Sequence, residues 1–565
     1  MPADTTDSIY TDLRAQLRLP GLDPEFKPKR EGPIVGIDLG TTNSCVSVVR
    51  GDKPMVISSR QGTSTIPSVV AVSDKGKLLV GQPARELMIL NPTNTVYGSK
   101  RLVGRPFDSP LVGEVKLRTH YNVVAGPDGQ AAVKLGEEIL TLEEVAALIL
   151  REARELAEEH LHRSVHRAVI TCPAFYNEHQ RAAVRRAGHL AGFHVERVLN
   201  EPTAAALAFG YGKGLKRRVA IFDLGGGTFD ATVLAVDGDS FEVQATGGDT
   251  FLGGVDFDHQ IVDLLLKAFK QQHGVFFKGD RVAVQRIRDA AETAKQALGE
   301  YTKYHLQLPH LTTIDDKPYD LTADISREQV NEVCSPLVER CIQIFENVLE
   351  QAGIGPKQVD DVILVGGSTR MLQVQERLKR FFGKDPNKGV HPDEAVAVGA
   401  ALLARALEQS AGIRLVDVNP MTIGVGLASG RFHGVLPRNQ ALPCEKTYVI
   451  ATSARNQRSL DVQIYQGESP ETAKNEHLGT LLVDGLPKGP KGTVKVEVSF
   501  KLSGECVLSV GARELSRKTE VHATMATKGT PVAVTKRLSK GPRVTGTVAR
   551  VKPGLWNRIK SWFGR

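Results

Sequence analysis

The residues best suited to chemistry are two aspartates, each at the end of an apolar strand and followed by a turn of glycines and hydroxyls. Asp223 stands in Val219-Ala-Ile-Phe-Asp-Leu-Gly-Gly-Gly-Thr-Phe-Asp-Ala-Thr-Val-Leu-Ala-Val236. Gly225, Gly226 and Gly227 remove every Cβ from that turn, so backbone N–H groups can approach an anion closely. Thr228 adds a hydroxyl donor, and a carboxylate at the strand end can hold a hydrated Mg²⁺ against bound phosphates. The stretch therefore reads as a phosphate clamp, with an ordinary glycine-rich hairpin as the competing reading.

A second copy favours the clamp. Ile34-Val-Gly-Ile-Asp-Leu-Gly-Thr-Thr-Asn-Ser-Cys-Val-Ser-Val-Val49 repeats the plan, with Asp38 before the turn Gly40, Thr41, Thr42 and Asn43. An internal repeat so widely separated predicts two similar lobes, which would grip one nucleotide from both sides of a cleft. A third turn, Gly366-Gly-Ser-Thr-Arg370, follows the apolar strand Val362-Ile-Leu-Val365 and precedes a helix. It suits a backbone contact to the same ligand through Gly366, Gly367 and Ser368. Together the three turns resemble the superfamily of actin, sugar kinases and heat-shock chaperones.

Longer motifs narrow the resemblance. Ile37-Asp-Leu-Gly-Thr-Thr-Asn-Ser-Cys45, Asn200-Glu-Pro-Thr-Ala-Ala-Ala-Leu-Ala208, Phe222-Asp-Leu-Gly-Gly-Gly-Thr-Phe-Asp230 and Leu364-Val-Gly-Gly-Ser-Thr-Arg370 resemble the signatures of the heat-shock protein 70 (DnaK-like) chaperone family. The resemblance runs from about residue 33 to about residue 515. It implies a multidomain chain: an α/β actin-like two-lobed ATPase domain, then a β-sandwich substrate-binding domain. It also implies ATP or ADP with Mg²⁺ and K⁺ as cofactors. Lys100 takes the place of a catalytic lysine, and Glu201 adds a third carboxylate to Asp38 and Asp223 around the Mg²⁺ water shell. Thr228 takes the place of a contact to the γ-phosphate or the attacking water. Glu292 and Lys295 match positions that meet the ribose and base. Gly299 departs from the usual serine and removes one hydrogen bond to the base. Arg370 would stack on the base, with Asp393 closing the region. Pro173 matches a conformational switch, and Arg181 a relay of nucleotide state to the linker.

The elements needed to position these residues are legible in part. Thr141-Leu-Glu-Glu144 is a capping box that opens a helix, Asn177 can cap another, and helices are expected from Val255 to Gly299. Gly412-Ile-Arg-Leu-Val-Asp417 takes the place of an apolar linker that docks when ATP is bound. Arg414 interrupts it, so docking is expected to be weaker or differently paired, because burying an unpartnered charge is costly.

From Val418 onward, short alternating strands with frequent turn residues predict a β-sandwich. By resemblance, Ile423, Val425, Leu427, Ile450, Leu460 and Val462 would line a peptide groove, arched over by Ala428 and Ser453. As plain sequence, the same residues read as sandwich core. The family's Glu- and Lys-rich helical lid has no counterpart in the Thr-, Val-, Gly- and Lys-rich remainder, so a lidless chain is expected. The domains expected are a leader over 1–32, the ATPase domain over 33–410, the linker over 411–417, the sandwich over 418–527 and a basic tail over 528–565.

Composition bounds the class. The 565 residues are 41% hydrophobic and carry a net charge of +8, which marks a globular chain. The excess is local: Val521 to Arg565 holds ten basic residues and no acidic one, leaving the body near neutral. No specific nucleic-acid partner is expected. The six cysteines show no CxxC or zinc-type spacing and read as free thiols in a reducing compartment. Cys334 and Cys341 fall on the apolar face of a long helix, and Cys45 sits beside the phosphate turn. No signal peptide is evident and no run of ~18 apolar residues occurs, so a cytoplasmic chain is expected. Ser8 to Leu19 predicts a short helix on a flexible leader. In the tail, Leu555, Trp556, Ile559, Trp562 and Phe563 share one helical face, which suits an anionic membrane surface or the chain's own sandwich.

The expected function is an ATP-dependent chaperone with slow hydrolysis that couples nucleotide state to unfolded or apolar peptide segments. A J-domain co-chaperone and a nucleotide exchange factor are the implied partners. The alternatives are an adaptor holding one dedicated partner, an actin-like filament protein, and a small-molecule kinase, which would leave the sandwich unexplained.

Overall fold

The computed structural model describes residues 13–515, apart from 52, 128 and 411, and the backbone of the strand His522–Ala526. The repeat of glycine turns is also a repeat of topology. In the first lobe, Ile34–Asp38, Asn43–Arg50 and Lys53–Val56 form an antiparallel run. Arg167–Cys172 lies parallel beside Ile34–Asp38, and His194–Asn200 beside that. In the second lobe, Lys216–Leu224, Phe229–Asp237 and Ser240–Asp249 form the same run, with Asp361–Val365 parallel on Lys216–Leu224. Helices pack against these central strands, so the strands read as continuous apolar runs. Val219, Ala220, Ile221 and Phe222 are all buried completely.

Two alanine-rich helices, Glu201–Gly210 and Ala395–Gln409, join the lobes beneath the cleft. Small residues let their backbones touch: a Cβ on Gly399 would run into the backbone of Ala204, and one on Gly36 into that of Ala401. Their shared core takes Ile34 and Val169 from one lobe and Val219, Ile221 and Ile363 from the other. The helix Leu142–Leu161 starts at the reciprocal capping box of Thr141 and Glu144. Glu178–Leu190 starts at a box made by Asn177 and Gln180. The helical run after Val255 is Gly254–His273 and Arg281–Glu300. Cys334 and Cys341 are fully buried on the helix Arg327–Gln351, and every described cysteine is a free thiol.

Two expectations are corrected. The leader is not a loose segment: its helix, Leu13–Leu17, is followed by a turn at Pro20–Leu22, and Leu17 and Leu19 are buried in the core of the first lobe. Arg14 reaches Glu144 at 2.6 Å, and Gln16 accepts from Leu78 N–H and donates to Gly76 O. Residues 8–12 of the predicted helix lie outside the described residues. The linker docks without burying a charge. Arg414–Val416 joins the second lobe's sheet parallel to Ser240–Asp249. Strand alternation turns Arg414 to solvent while Leu415 and Ile413 pack on the core between the lobes.

The sandwich has a five-stranded sheet in the order Phe432–Leu436, Ile423–Gly426, Ser459–Gln466, Glu476–Asp484 and His522–Ala526. A three-stranded sheet of Cys444–Ala451, Lys495–Leu502 and Leu508–Glu514 faces it. Alternating residues such as Leu460, Val462 and Ile464 point into the core between them. The expected amphipathic face at 555–563 lies outside the described residues, as does the tail from 528 that carries it.

Candidate functional site

The two glycine turns meet tip to tip. Each follows an aspartate at the end of the first strand of its lobe, Asp38 as the last residue and Asp223 as the last but one, because the antiparallel hairpin places both at the same edge. A Cβ on Gly226 would run into the side chain of Thr42, and one on Gly227 into that of Thr41. The hydroxyl turn of one lobe thus fills the space left by the bare turn of the other. Gly366, with φ of +82°, lies against the backbone of Leu224, and Ser368 Oγ donates to Gly225 O at 3.0 Å. All three turns therefore border one cleft of about 620 Å³.

That cleft is lined by Asp38, Gly40, Thr41, Thr42, Asn43, Lys100, Glu201, Asp223, Gly225, Gly226 and Thr228 at one end. Glu292, Lys295, Gly299, Gly366, Gly367, Ser368, Arg370 and Asp393 line the other. Gly227 is the one member of the expected set that backs the wall instead of lining it. At this second end, Arg370 is paired with Asp393 at 2.6 Å. Lys295 is paired with Asp258 at 2.7 Å and Glu292 with Arg85 of the first lobe at 3.5 Å.

The end around Asp38 and Asp223 is rich in buried acid. Lys100 Nζ donates to Glu201 Oε1 at 2.6 Å, both side chains being buried. Burial works against the lysine's charge, but Glu201, Tyr176 and Asp38 more than offset it and hold the ammonium protonated. Asp38 is pushed up to about 7 by burial and then by Glu201, with Lys100 and the hydroxyl of Thr171 opposing. Burial and Glu201 likewise push Asp230 up to about 7. Asp223 is raised by burial, Glu201, Asp230 and Asp38. Burial thus favours the protonated forms of these acids beside a single lysine, and a divalent cation at this end would favour their ionised forms. Among the described residues no group of three or more His, Cys, Asp or Glu is arranged to ligate a metal directly. Asp38, Glu201 and Asp223 are the residues that could hold Mg²⁺ here through its water shell.

Several members of the site carried no signal of their own. Arg101, next to Lys100, donates to Gly227 O at 2.9 Å and pairs with Asp256, which Arg118 also reaches at 2.6 Å. Arg101 lies over the ring of Phe251, 4.7 Å from its centroid. Two arginines of the first lobe are thereby tied to one carboxylate of the second. Thr171 Oγ1 donates to Asp38 at 3.3 Å, and Tyr176 OH to Lys100 O at 2.7 Å. Asp230, the last residue of a motif already singled out, accepts from Phe175 N–H at 3.1 Å. Its conspicuous acid was the available clue.

The same segment leads out of the cleft. Pro173 is buried after Arg167–Cys172, and Arg181 is buried on Glu178–Leu190. Arg181 donates to Ala174 O at 2.8 Å, Tyr176 O at 3.2 Å and Cys172 Sγ at 3.4 Å. The sandwich rests on this helix: Glu178 N–H donates to Gln466 Oε1 at 3.3 Å, and Arg185 pairs with Glu505. Asp417, at the end of the linker, accepts from Asn200 at 2.6 Å and Thr203 at 3.0 Å. On the second lobe, Arg438 of the sandwich donates to Thr246 O at 2.6 Å.

The expected groove residues are not all brought together at a surface. Ile423, Val425, Leu460 and Val462 are buried in the sandwich core, and Ile450 packs at its margin. Leu427 is exposed beside the turn that carries Ala428, and Ser453 lies on an exposed turn at the far end of Cys444–Ala451.

Among known protein families, the model described as "Hsp70 protein" matches residues 34–537. With the paired glycine turns, the acidic cleft and the appended sandwich all within that match, the chain belongs to the Hsp70 family.

Proposed function

We propose that this chain is an ATP-dependent molecular chaperone that binds Mg-ATP between its lobes, hydrolyses it slowly and couples nucleotide state to apolar peptide binding in the sandwich. The observation that carries this is the phosphate end of the cleft, where Lys100 and a surplus of buried carboxylate face two turns of backbone donors. Lys100 would steady the γ-phosphate and the attacking water, and Thr228 would contact one or the other. Asp38, Glu201 and Asp223 would orient a Mg²⁺ water shell, which supplies charge neutralisation on the phosphates. No protein nucleophile is required, because phosphoryl transfer of this kind rests on positioning and electrostatics.

The docked linker and the seat of the sandwich on Glu178–Leu190 support the coupling. Apolar peptide segments, a J-domain co-chaperone and a nucleotide exchange factor are the partners in this reading. Measuring ATP turnover with and without an apolar peptide tests it. Slow turnover that rises with peptide is expected, and a rate indifferent to peptide would overturn the coupling.

A second reading, an adaptor that holds one dedicated partner, draws support from the burial of Ile423, Val425, Leu460 and Val462. A peptide array separates the two: a chaperone retains many apolar segments, an adaptor one.

A further inference from the structure

The leader packs where the family match does not reach, since that match begins at residue 34. Its turn lies directly on the last turn of the helix Glu178–Leu190. A Cβ on Gly21 would come within 2.5 Å of His189 O and 2.7 Å of Leu190 Cα, and the ring of Phe26 lies 5.8 Å from that of His189. Two arginines of Leu142–Leu161 tie leader and helix end together. Arg151 donates to Leu17 O, and Arg154 Nη1 donates to Ala191 O at 2.7 Å. The far end of the leader is anchored by Arg14 on Glu144 and on Glu138 at 2.9 Å.

The opposite end of the same helix meets the sandwich. It follows the strand whose Thr171 donates to Asp38, and its first residues meet Gln466 and His477 of the sandwich. A helix is a stiff rod. A shift at its N-terminal end moves whatever rests on it in a defined direction only if the other end is held.

We propose that residues 13–26 form a clasp that fixes the C-terminal end of Glu178–Leu190, making the leader a positioning element for communication between cleft and sandwich. The clasp touches neither the cleft nor the sandwich; besides the helix end it holds only first-lobe elements, the helix Leu142–Leu161 and the strands Leu78–Val80 and Glu138–Thr141, so its route to the sandwich is the helix. The inference rests on the coupling read above, and its test separates the two.

In the full chain, Gly21→Val drives a side chain into the backbone of His189 and lifts the clasp, while Arg14→Ala frees its other end without adding bulk. Both should keep basal ATP turnover within about two-fold, and the stimulation by apolar peptide should fall about five-fold in Gly21→Val and less in Arg14→Ala. Hydrogen exchange at His189 to Gly192 should quicken about ten-fold, and the linker strand Arg414–Val416 should lose ATP-dependent protection. Faster exchange at the helix end with the linker and the stimulation unchanged would reduce the leader to a stabilising strap and overturn the proposal. A fall in basal turnover equal to the fall in stimulation would also overturn it. Should the unaltered chain show no response to peptide, the chaperone reading fails, and the exchange of the linker strand still decides the clasp. If Gly21→Val does not fold, Arg14→Ala decides by the same readouts.

Discussion

The two glycine turns share a sequence plan and a place in their sheets, yet they are built oppositely. The first, Gly40-Thr-Thr-Asn43, presents side chains; the second, Gly225-Gly-Gly-Thr228, presents almost none. Each is shaped to the other, because Thr41 and Thr42 occupy the volume that a Cβ on Gly227 or Gly226 would need. Duplicated lobes that close on one ligand cannot both carry bulk at the point of closure. One turn supplies hydroxyls and the other supplies room, so the pair borders one shared cleft instead of two separate ones.

The largest expected effect comes from removing the lysine charge that shares the cleft of the two turns. Lys100→Ala should slow hydrolysis about 100-fold, on the order of 3 kcal/mol in the barrier, while nucleotide still binds through the backbone donors of both turns. Single-turnover hydrolysis alongside nucleotide titration checks this, and turnover at the parent rate would remove Lys100 from the mechanism.

Breaking the complementarity itself comes next. Gly226→Ala should weaken nucleotide binding about ten-fold by pushing the tips apart, and adding Thr42→Gly should restore part of the loss, a coupling that a double-mutant cycle measures. Strict additivity of the two changes would mean that the turns do not act as a pair.

A smaller effect sharpens the comparison at the other end of the cleft. A Cβ on Gly299 would meet only Arg370 O, at an ordinary van der Waals distance of 3.9 Å. Gly299→Ser is accommodated and should tighten adenosine nucleotides about five-fold, the worth of roughly one hydrogen bond. Equal affinity before and after would show that the position does not read the base.

The mildest expected change concerns the seat of the sandwich. Glu178 is pushed up to about 7 by burial, which the N–H of Leu508 and the charges of Arg181 and Arg185 oppose. The docked form therefore binds a proton more readily than the undocked one, whose carboxyl returns to its ordinary range. Docking is favoured at low pH and weakens as pH rises toward 7. Linker protection followed from pH 4 to 8 should fall as pH rises from the ordinary carboxyl range to about 7 and level off above it, and Glu178→Gln should flatten the profile.

How much was legible before the chain was folded follows from how local each signal is. Capping boxes at Thr141 and Asn177 need only a residue and its third neighbour, and both helices start there. Glycine turns beside aspartates need only a strand end, and the repeat fixed their mutual facing through a shared topology. Burial of Cys334 and Cys341 followed from helical spacing alone. Arg101, by contrast, sits beside Lys100 in a stretch that offered no reason to single it out, since its partner Asp256 is distant in sequence.

The amino-acid sequence by itself determined the two lobes, the clamp of bare and hydroxylated turns, the acids beside them and the alternating strands of a sandwich. Those features are written in short-range patterns that the backbone must obey wherever it goes. Only the tertiary structure decided that Arg414 faces water while its linker docks, because a strand has two faces and its sheet partner selects between them. The same holds for the four expected groove residues that lie in the sandwich core, since period-two alternation fixes which residues share a face but not what covers it. It holds most for the leader, whose leucines and Gly21 mean little until the end of Glu178–Leu190 is there to receive them.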